Sequence, residues 1–274
     1  MKHLINKRIL FFVIVIISLC LYLPYKNLQQ KVEIEGESIL FDINQGDSFG
    51  KTLINLKKKN IISNTNWMYI YIRLFNKSNQ IKAGEYIISK DDSHLDIINQ
   101  FISGKVYLHP FTIIEGWTLM DLSDAISNSS FIKKSNTSLD HDKFTNKFYL
   151  DHSEITSEGL FLPETYFIAK GTTPEMLYDM SHKMLIEELN NQWDNRAPSL
   201  PLKSPYEALI LASIIEKETA VDDERPRISS VFVVRLKENM RLQTDPTVIY
   251  GLGNDFNGNL TRKDLRTDTV YNTY

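Results

Sequence analysis

The sequence predicts a mixed α+β protein, mostly helical in its second half, and three observations carry that prediction. Short runs rich in β-branched and aromatic residues, SILFDI and GEYIIS, are bounded by turn residues. Two passages, FDINQGDSFGKTLINL and FTIIEGWTLMDLSDAI, each pass from strand to helix through a Gly and a capping Ser or Thr, a weak internal repeat. From Thr173 onward the chain reads as successive capped helices.

Composition bounds the answer. A chain of 274 residues with 42% hydrophobic content can bury one large or two modest cores. A formal charge of -3 gives no footprint for nucleic acid, and the run Lys57, Lys58, Lys59 suits a solvated helix end. A single cysteine, Cys20, excludes an internal disulfide framework and a cysteine-based zinc site, and no metal is expected.

The elements follow in order. Lys2, Lys7 and Arg8 precede the apolar run Ile9 to Leu23, which is followed by Pro24, Tyr25 and Lys26. At about 15 residues the run is short for a bilayer span of roughly 20 and long for a signal-peptide core. No small-x-small cleavage site follows, and Leu19 before Cys20 does not suit lipoprotein processing. The expectation is an uncleaved single-pass anchor over residues 9–25, with residues 1–8 held in the cytoplasm by their basic charge. A cleaved signal and a buried helix are the competing readings. Everything after residue 30 then lies outside the cytoplasm, where ATP and nicotinamide cofactors are lacking, so no cofactor is expected.

Residues 38–43 read as a strand, Gln45-Gly46-Asp47 as a turn, and Ser48 as the cap of a helix reaching about Lys59. Ser63 or Asn64 caps a second helix whose Trp67, Ile70, Tyr71 and Leu74 recur at the spacing of one face. GEYIIS, Gly84 to Ser89, reads as a returning strand. In order and size this unit, residues 35–106, resembles the LysM module, a small fold that binds chains containing N-acetylglucosamine.

The next strand and helix span Phe111 to Ile126, with Trp117 placed either to close a core or to stack on a sugar. Residues 127–156 read as variable surface with one short helix, and His141 and His152 lack partners at ligand spacing. Pro163, Glu164 and Thr165 interrupt the aromatic run Ser157 to Phe167, which reads as a shaped loop suited to a cleft. Thr173 caps a helix with Pro174 at its first position, running through Trp193, on which His182 is one polar residue among many.

The run LILASIIEKET, Leu209 to Thr219, carries Glu216 and Glu218 at the end of an apolar helix. A helix apolar all round is expected to be buried, with its carboxylates partnered or shifted towards the proton-donating form. At about 100° per residue the two glutamates are about 160 to 200° apart, so they face opposite sides and do not form a paired acid and base. Either one of them lines a cleft with apolar walls, or both are helix-end acids paired with Lys217, Arg225 or Arg227. After Asp222, Asp223 and Glu224 a helix runs to about Asn239. Gln243, Thr244 and Asp245, held by Pro246, then form either a polar ligand loop or a turn capping the following helix.

The segments EGLFLPETYF, LASIIEKETA, RLQTDPTVIYG and YNTY together resemble the YceG-like family, the endolytic murein transglycosylases. The resemblance reaches from the anchor to Tyr274. It implies a YceG-like catalytic domain over residues 107–274. That domain is expected to be incomplete at its C-terminal end, because family members continue past YNTY. It also implies an enzyme, a lytic transglycosylase cutting the β-1,4 bond between N-acetylmuramic acid and N-acetylglucosamine to leave 1,6-anhydro ends, thereby limiting strand length. The family's catalytic glutamate falls on Glu218. Gln243, Thr244, Asp245 and Asn272 are the candidates for binding substrate, Glu164 and Tyr166 stand at the cleft edge, and Glu216 supports the structure. The implied partners are peptidoglycan glycan strands, the lipid bilayer and peptidoglycan synthases, at the inner (cytoplasmic) membrane with the catalytic domain extracytoplasmic. The alternative is an anchored peptidoglycan-binding or scaffold protein without catalysis. A pyridoxal-phosphate lyase is disfavoured, because Lys217 lacks the surroundings of a Schiff-base lysine.

Overall fold

The structure, a computed structural model, describes residues 11–12, 22–135, 139–145 and 157–274. It is a mixed α+β chain, about half helical, with two small two-stranded sheets. Among the described residues no helix is long and apolar enough to cross a membrane. The run Ile9 to Leu23 falls almost wholly outside the described residues, as do Cys20 and His152, and the His141 side chain is not described.

The chain divides into two compact units. The first comprises residues up to Pro110 together with Phe167–Gly171, and the second Phe111–Tyr166 with Thr172–Tyr274.

In the first unit, β1 (Ser38–Ile43) pairs antiparallel with β2 (Gly84–Ser89), in register from Ser38 opposite Ser89 to Ile43 opposite Gly84. The period of two puts Phe41 and Ile43 on the same buried face as Tyr86 and Ile88. Helix α1 (Phe49–Lys58) starts at Ser48, whose hydroxyl accepts from Lys51 N at 3.3 Å, and buries Phe49, Leu53 and Leu56. Helix α2 (Asn66–Leu74) follows, so the expected order of strand, helix, helix, strand is the observed one.

Its buried face is not the expected one. Met68 and Ile72 are inside, whereas Ile70 and Leu74 are 47% and 74% exposed. Trp67 and Tyr71 are half-buried, Tyr71 against the core, so the stripe that the core accepts is centred one position round the helix from the predicted one. Helix α3 (His94–Ser103) begins in a reciprocal capping box of Ser93 and Asp96 and ends at Gly104, whose φ of 73° is left-handed. Its Phe101 stacks on Phe41 at 5.8 Å and meets the edge of Tyr86 at 4.8 Å. Lys170 reaches both Asp42, at 2.8 Å, and the buried Glu85, at 3.0 Å, which attaches residues 167–171 to this unit.

Strands β3 (Leu108–Thr112) and β4 (Thr165–Ala169) form the second sheet. The segment expected to be loop throughout therefore ends as a strand at Thr165. Helix α4 (Leu119–Asn128) carries a second capping box, Thr118 with Asp121, entered through Gly116 at φ 75°. A short helix α5 (His141–Thr145) precedes α6 (Pro174–Asp194), which starts at Thr173 with Pro174 in its first turn. Then come α7 (Pro205–Glu218), a 3-10 turn at Asp222–Glu224, α8 (Arg225–Lys237) and α9 (Asp245–Leu252), followed by 3-10 turns at Gly253–Asp255 and Asp264–Arg266. Helix α7 packs against α6, α8 and α9. The expectation that it is buried all round is corrected. Leu211 is its one buried residue, and Ile210, Ala212 and Ser213 face solvent.

Candidate functional site

The C-terminal turn of α7 presents the two glutamates to different neighbours. Glu216 is held by Arg225, whose NH2 lies 3.0 Å from Oε1 and 2.9 Å from Oε2, while NH1 of the same guanidinium reaches Asp222 at 3.0 Å. Glu218 receives instead the hydroxyl proton of Thr244, at 2.6 Å on Oε2. The spacing of two along a helix is what sends them apart.

Glu218 is exposed, which corrects the expectation of a carboxylate enclosed by apolar walls. Its brace, in contrast, is buried: Thr244 is 1% exposed. Among the described residues Glu218 makes no salt bridge, so the Thr244 hydroxyl is its ordered partner.

A ladder of polar contacts fixes Thr244. Its N–H donates to Thr273 Oγ1 at 3.1 Å, its carbonyl accepts from Thr247 Oγ1 at 2.8 Å, and Thr247 Oγ1 lies 2.8 Å from Thr273 Oγ1. The preceding residue, Gln243, takes a left-handed φ of 50° and donates its N–H to the Thr273 carbonyl at 3.0 Å. Residues 243–244 thus lie alongside residues 272–274. Arg235 NH1 donates to the Leu242 carbonyl, and Arg241 NH1 to the Tyr274 carbonyl at 2.6 Å. The Tyr274 hydroxyl donates to Asp245 Oδ1 at 2.5 Å. That hydrogen bond, burial, and the negative charges of Asp245 and Glu218 together raise the tyrosine's pKa.

Of the residues selected from sequence, Glu218, Gln243, Thr244, Asp245 and Asn272 gather in this ladder. Two of them have other work than binding a ligand. Thr244 is buried and engaged with Glu218. Asn272 donates through Nδ2 to the Leu265 and Thr267 carbonyls, at 3.2 and 2.7 Å, and accepts from Tyr274 N at 2.9 Å, so its amide is occupied by backbone. Gln243 and Asp245 are exposed.

Glu164 and Tyr166 make their hydrogen bonds elsewhere. Glu164 Oε1 accepts from Thr165 N at 2.8 Å. The Tyr166 hydroxyl donates to the Leu162 carbonyl at 2.6 Å, and burial raises its pKa. At 3% exposure Tyr166 belongs to the core, which corrects its placement at a cleft edge.

Other residues bear on the site in ways that their sequence positions do not signal. Thr273 and Tyr274 lie in the same YNTY segment from which Asn272 was chosen, and only their spatial pairing with residues 241–245 separates their roles. Glu158, within EGLFLPETYF, accepts from Leu119 N at 2.8 Å and hydrogen-bonds Tyr250. Burial raises its pKa, against the opposing effects of those hydrogen bonds and of Lys217. Lys217 packs on Gly116 so closely that an added Cβ would sit 3.2 Å from its Cε. Among the described residues no cluster of His, Cys, Asp or Glu is placed to hold a metal ion.

These features define a mixed α+β protein with an exposed glutamate at a helix C-terminus, steadied by a buried threonine. The chain belongs to the YceG-like family, whose sequence profile matches residues 41–274. It is 28% identical over 271 residues to a Bacillus subtilis protein named endolytic murein transglycosylase, a match covering 92% of this chain and 74% of that one. A Streptococcus pneumoniae protein of the same name is 25% identical over 229 residues, covering 71% of this chain and 40% of the relative. The crystal structure of a YceG-like protein from Listeria monocytogenes superposes with a TM-score of 0.50 at 29% identity, covering 87% of this chain and 83% of that one.

Proposed function

We propose that this chain is a membrane-anchored endolytic lytic transglycosylase, cleaving the bond between N-acetylmuramic acid and N-acetylglucosamine in nascent peptidoglycan strands. Its relatives' name and its family membership support that reading. The observation that carries it is the single carboxylate, Glu218, with the Thr244 hydroxyl on one oxygen at 2.6 Å.

A hydrolase that delivers water uses two carboxylates flanking the scissile bond. Glu216 is tied to Arg225 and faces away, and Asp245 is engaged by the Tyr274 hydroxyl, so in this reading Glu218 serves twice. In the first step Glu218 gives its proton to the glycosidic oxygen as the C1–O bond breaks. In the second, the sugar's own 6-hydroxyl bonds to C1, and its proton returns to Glu218. No water is consumed and the carboxyl ends as it began. Thr244 stabilises the carboxylate between the two steps, because a hydrogen bond donated to the charged form favours that form. Gln243 and Asp245 are the groups offered to the sugar's amide and hydroxyls.

In this reading residues 1–8 stay in the cytoplasm, residues 9–25 anchor the chain in the cytoplasmic membrane, and the rest is extracytoplasmic. Residues 35–106 act as a LysM-like module and residues 107–274 as the catalytic part, working beside the peptidoglycan synthases.

The test is digestion of uncrosslinked glycan strands followed by mass spectrometry of their ends. The unaltered protein is expected to generate 1,6-anhydro ends, and Glu218→Gln, folded by circular dichroism, to generate none. Equal yields from the two proteins would sink the assignment.

A further inference from the structure

A groove of about 560 Å³ beside the Thr244 ladder has a composition that glycan binding alone does not explain. Arg241, Arg262 and Arg266 converge on it, together with Thr267, Asn272 and Tyr274, and Asp268 is its acidic member. In a chain of net charge -3, the residues lining this groove carry three guanidinium groups and one carboxylate, with Asp264 in the turn behind them, an excess of positive charge.

The arginines stand on an ordered scaffold. Thr261 donates from N and Oγ1 to Asp264 Oδ2, at 2.8 and 2.7 Å, which sets the 3-10 turn Asp264–Arg266 between Arg262 and Arg266. The bonds from Asn272 Nδ2 to the Leu265 and Thr267 carbonyls join that turn to the 272–274 segment. Arg241 is oriented by its bond to the Tyr274 carbonyl. Among the described residues Arg262 and Arg266 make no salt bridge, so their planar donors are available to an anion.

Tyr274 belongs to both places. It lines the groove, and its hydroxyl binds Asp245 within the field of Glu218. Tyr274 thus links the arginine groove to the surroundings of Glu218.

We propose that this groove is a carboxylate-binding site that takes the acidic peptides carried on the lactyl groups of the glycan, so that peptide-bearing strands are preferred to bare ones. The proposal rests on the glycan-cleaving reading above. Guanidinium groups matched to carboxylates would give a charge-assisted contact that a bare sugar chain lacks.

The experiment compares peptide-bearing strands with strands stripped of peptide by an amidase, for the unaltered protein and for Arg262→Gln/Arg266→Gln. Calorimetric affinity for a peptide-bearing tetrasaccharide is measured alongside cleavage. The unaltered protein is expected to favour the peptide-bearing ligand by about tenfold, the worth of one charged hydrogen bond, and the double variant to bring that ratio near one. Arg262→Lys/Arg266→Lys, which keeps charge without the planar fork, should retain part of the ratio and show that the fold tolerates change there. Equal affinities in the unaltered protein, or a ratio the double variant leaves unaltered, would overturn the proposal. Peptide-dependent binding without cleavage of either strand would instead sink the lytic reading and leave the groove's assignment standing.

Discussion

Replacing Thr244 by Val tests how much the buried hydroxyl does for Glu218. The two side chains have nearly the same shape, so the change removes a donor and little else. Before proton transfer the hydroxyl faces a neutral carboxyl, and after it a carboxylate. Hydrogen bonds to neutral partners contribute about 0.5–1.5 kcal/mol and those to charged ones about 1.5–3 kcal/mol, so the bond strengthens by about 1–1.5 kcal/mol as charge develops on the carboxyl in the transition state. At 1.36 kcal/mol per decade, kcat should fall about 5- to 15-fold if cleavage of the glycosidic bond is the slow step. KM should be unaltered, because Thr244 is buried away from any ligand. The backbone contacts of residue 244 with Thr247 and Thr273 do not depend on its side chain, so the loss of stability should stay near ~1 kcal/mol. Initial rates of anhydro-end formation at saturating strand concentration measure the effect, with Thr244→Ser restoring the hydroxyl. A Thr244→Val enzyme as fast as the parent, or a Thr244→Ser enzyme as slow as Thr244→Val, would refute the reasoning.

Two further predictions concern stability. Burial raises the Glu158 carboxyl's pKa in the folded chain, so the folded state holds the proton more tightly. The corresponding stability is fully present below the unfolded pKa and is lost as pH rises through the folded one. Glu158→Gln cannot ionise, so its melting temperature relative to the parent should climb from pH 4 to pH 7, and a constant difference across that range would count against the assignment. In the first unit, Ser93→Ala removes the capping-box hydroxyl and should cost about 1 kcal/mol in denaturant unfolding. Ser93 also holds Asp96 below its usual range, a contribution present above the unfolded carboxylate pKa and lost on acidification. The deficit of Ser93→Ala should therefore shrink at low pH, and a deficit that does not vary with pH would exclude this coupling.

What was legible in the sequence was local. Strands β1 and β2, the Ser48 and Thr173 caps and the opposite facing of Glu216 and Glu218 depend on residues within a turn or two of each other, and alternation and capping chemistry report those directly. Helix α3 carries an equally plain signal, Ser93 with Asp96 three residues on. The facing of α2 is not legible in spacing, because Trp67, Ile70, Tyr71 and Leu74 and the pair Met68 and Ile72 both satisfy it, and only the core they meet chooses between them. The same holds at the site. The family resemblance and side-chain polarity put Gln243, Thr244, Asp245 and Asn272 together as candidates. They could not separate a threonine turned inward to a carboxylate, or an asparagine taken up by backbone carbonyls, from side chains left facing solvent. Apolar residues on α7 suggested burial, but packing against α6, α8 and α9 leaves part of the helix uncovered.

The hydrogen bond between Thr244 and Glu218 also has a consequence in time. The two residues are 26 positions apart, and Thr244 is itself fixed by Thr273, 29 positions further on. As the chain leaves the ribosome, α7 emerges with its glutamate well before the hydroxyl that steadies it, and the residues steadying that hydroxyl come later still. Each pairing must also close a loop, at an entropy cost that grows with the logarithm of its length. The fully braced carboxylate is thus acquired only after Thr244 and Thr273 have both emerged, and a nascent chain shorter than that carries Glu218 without its complete support.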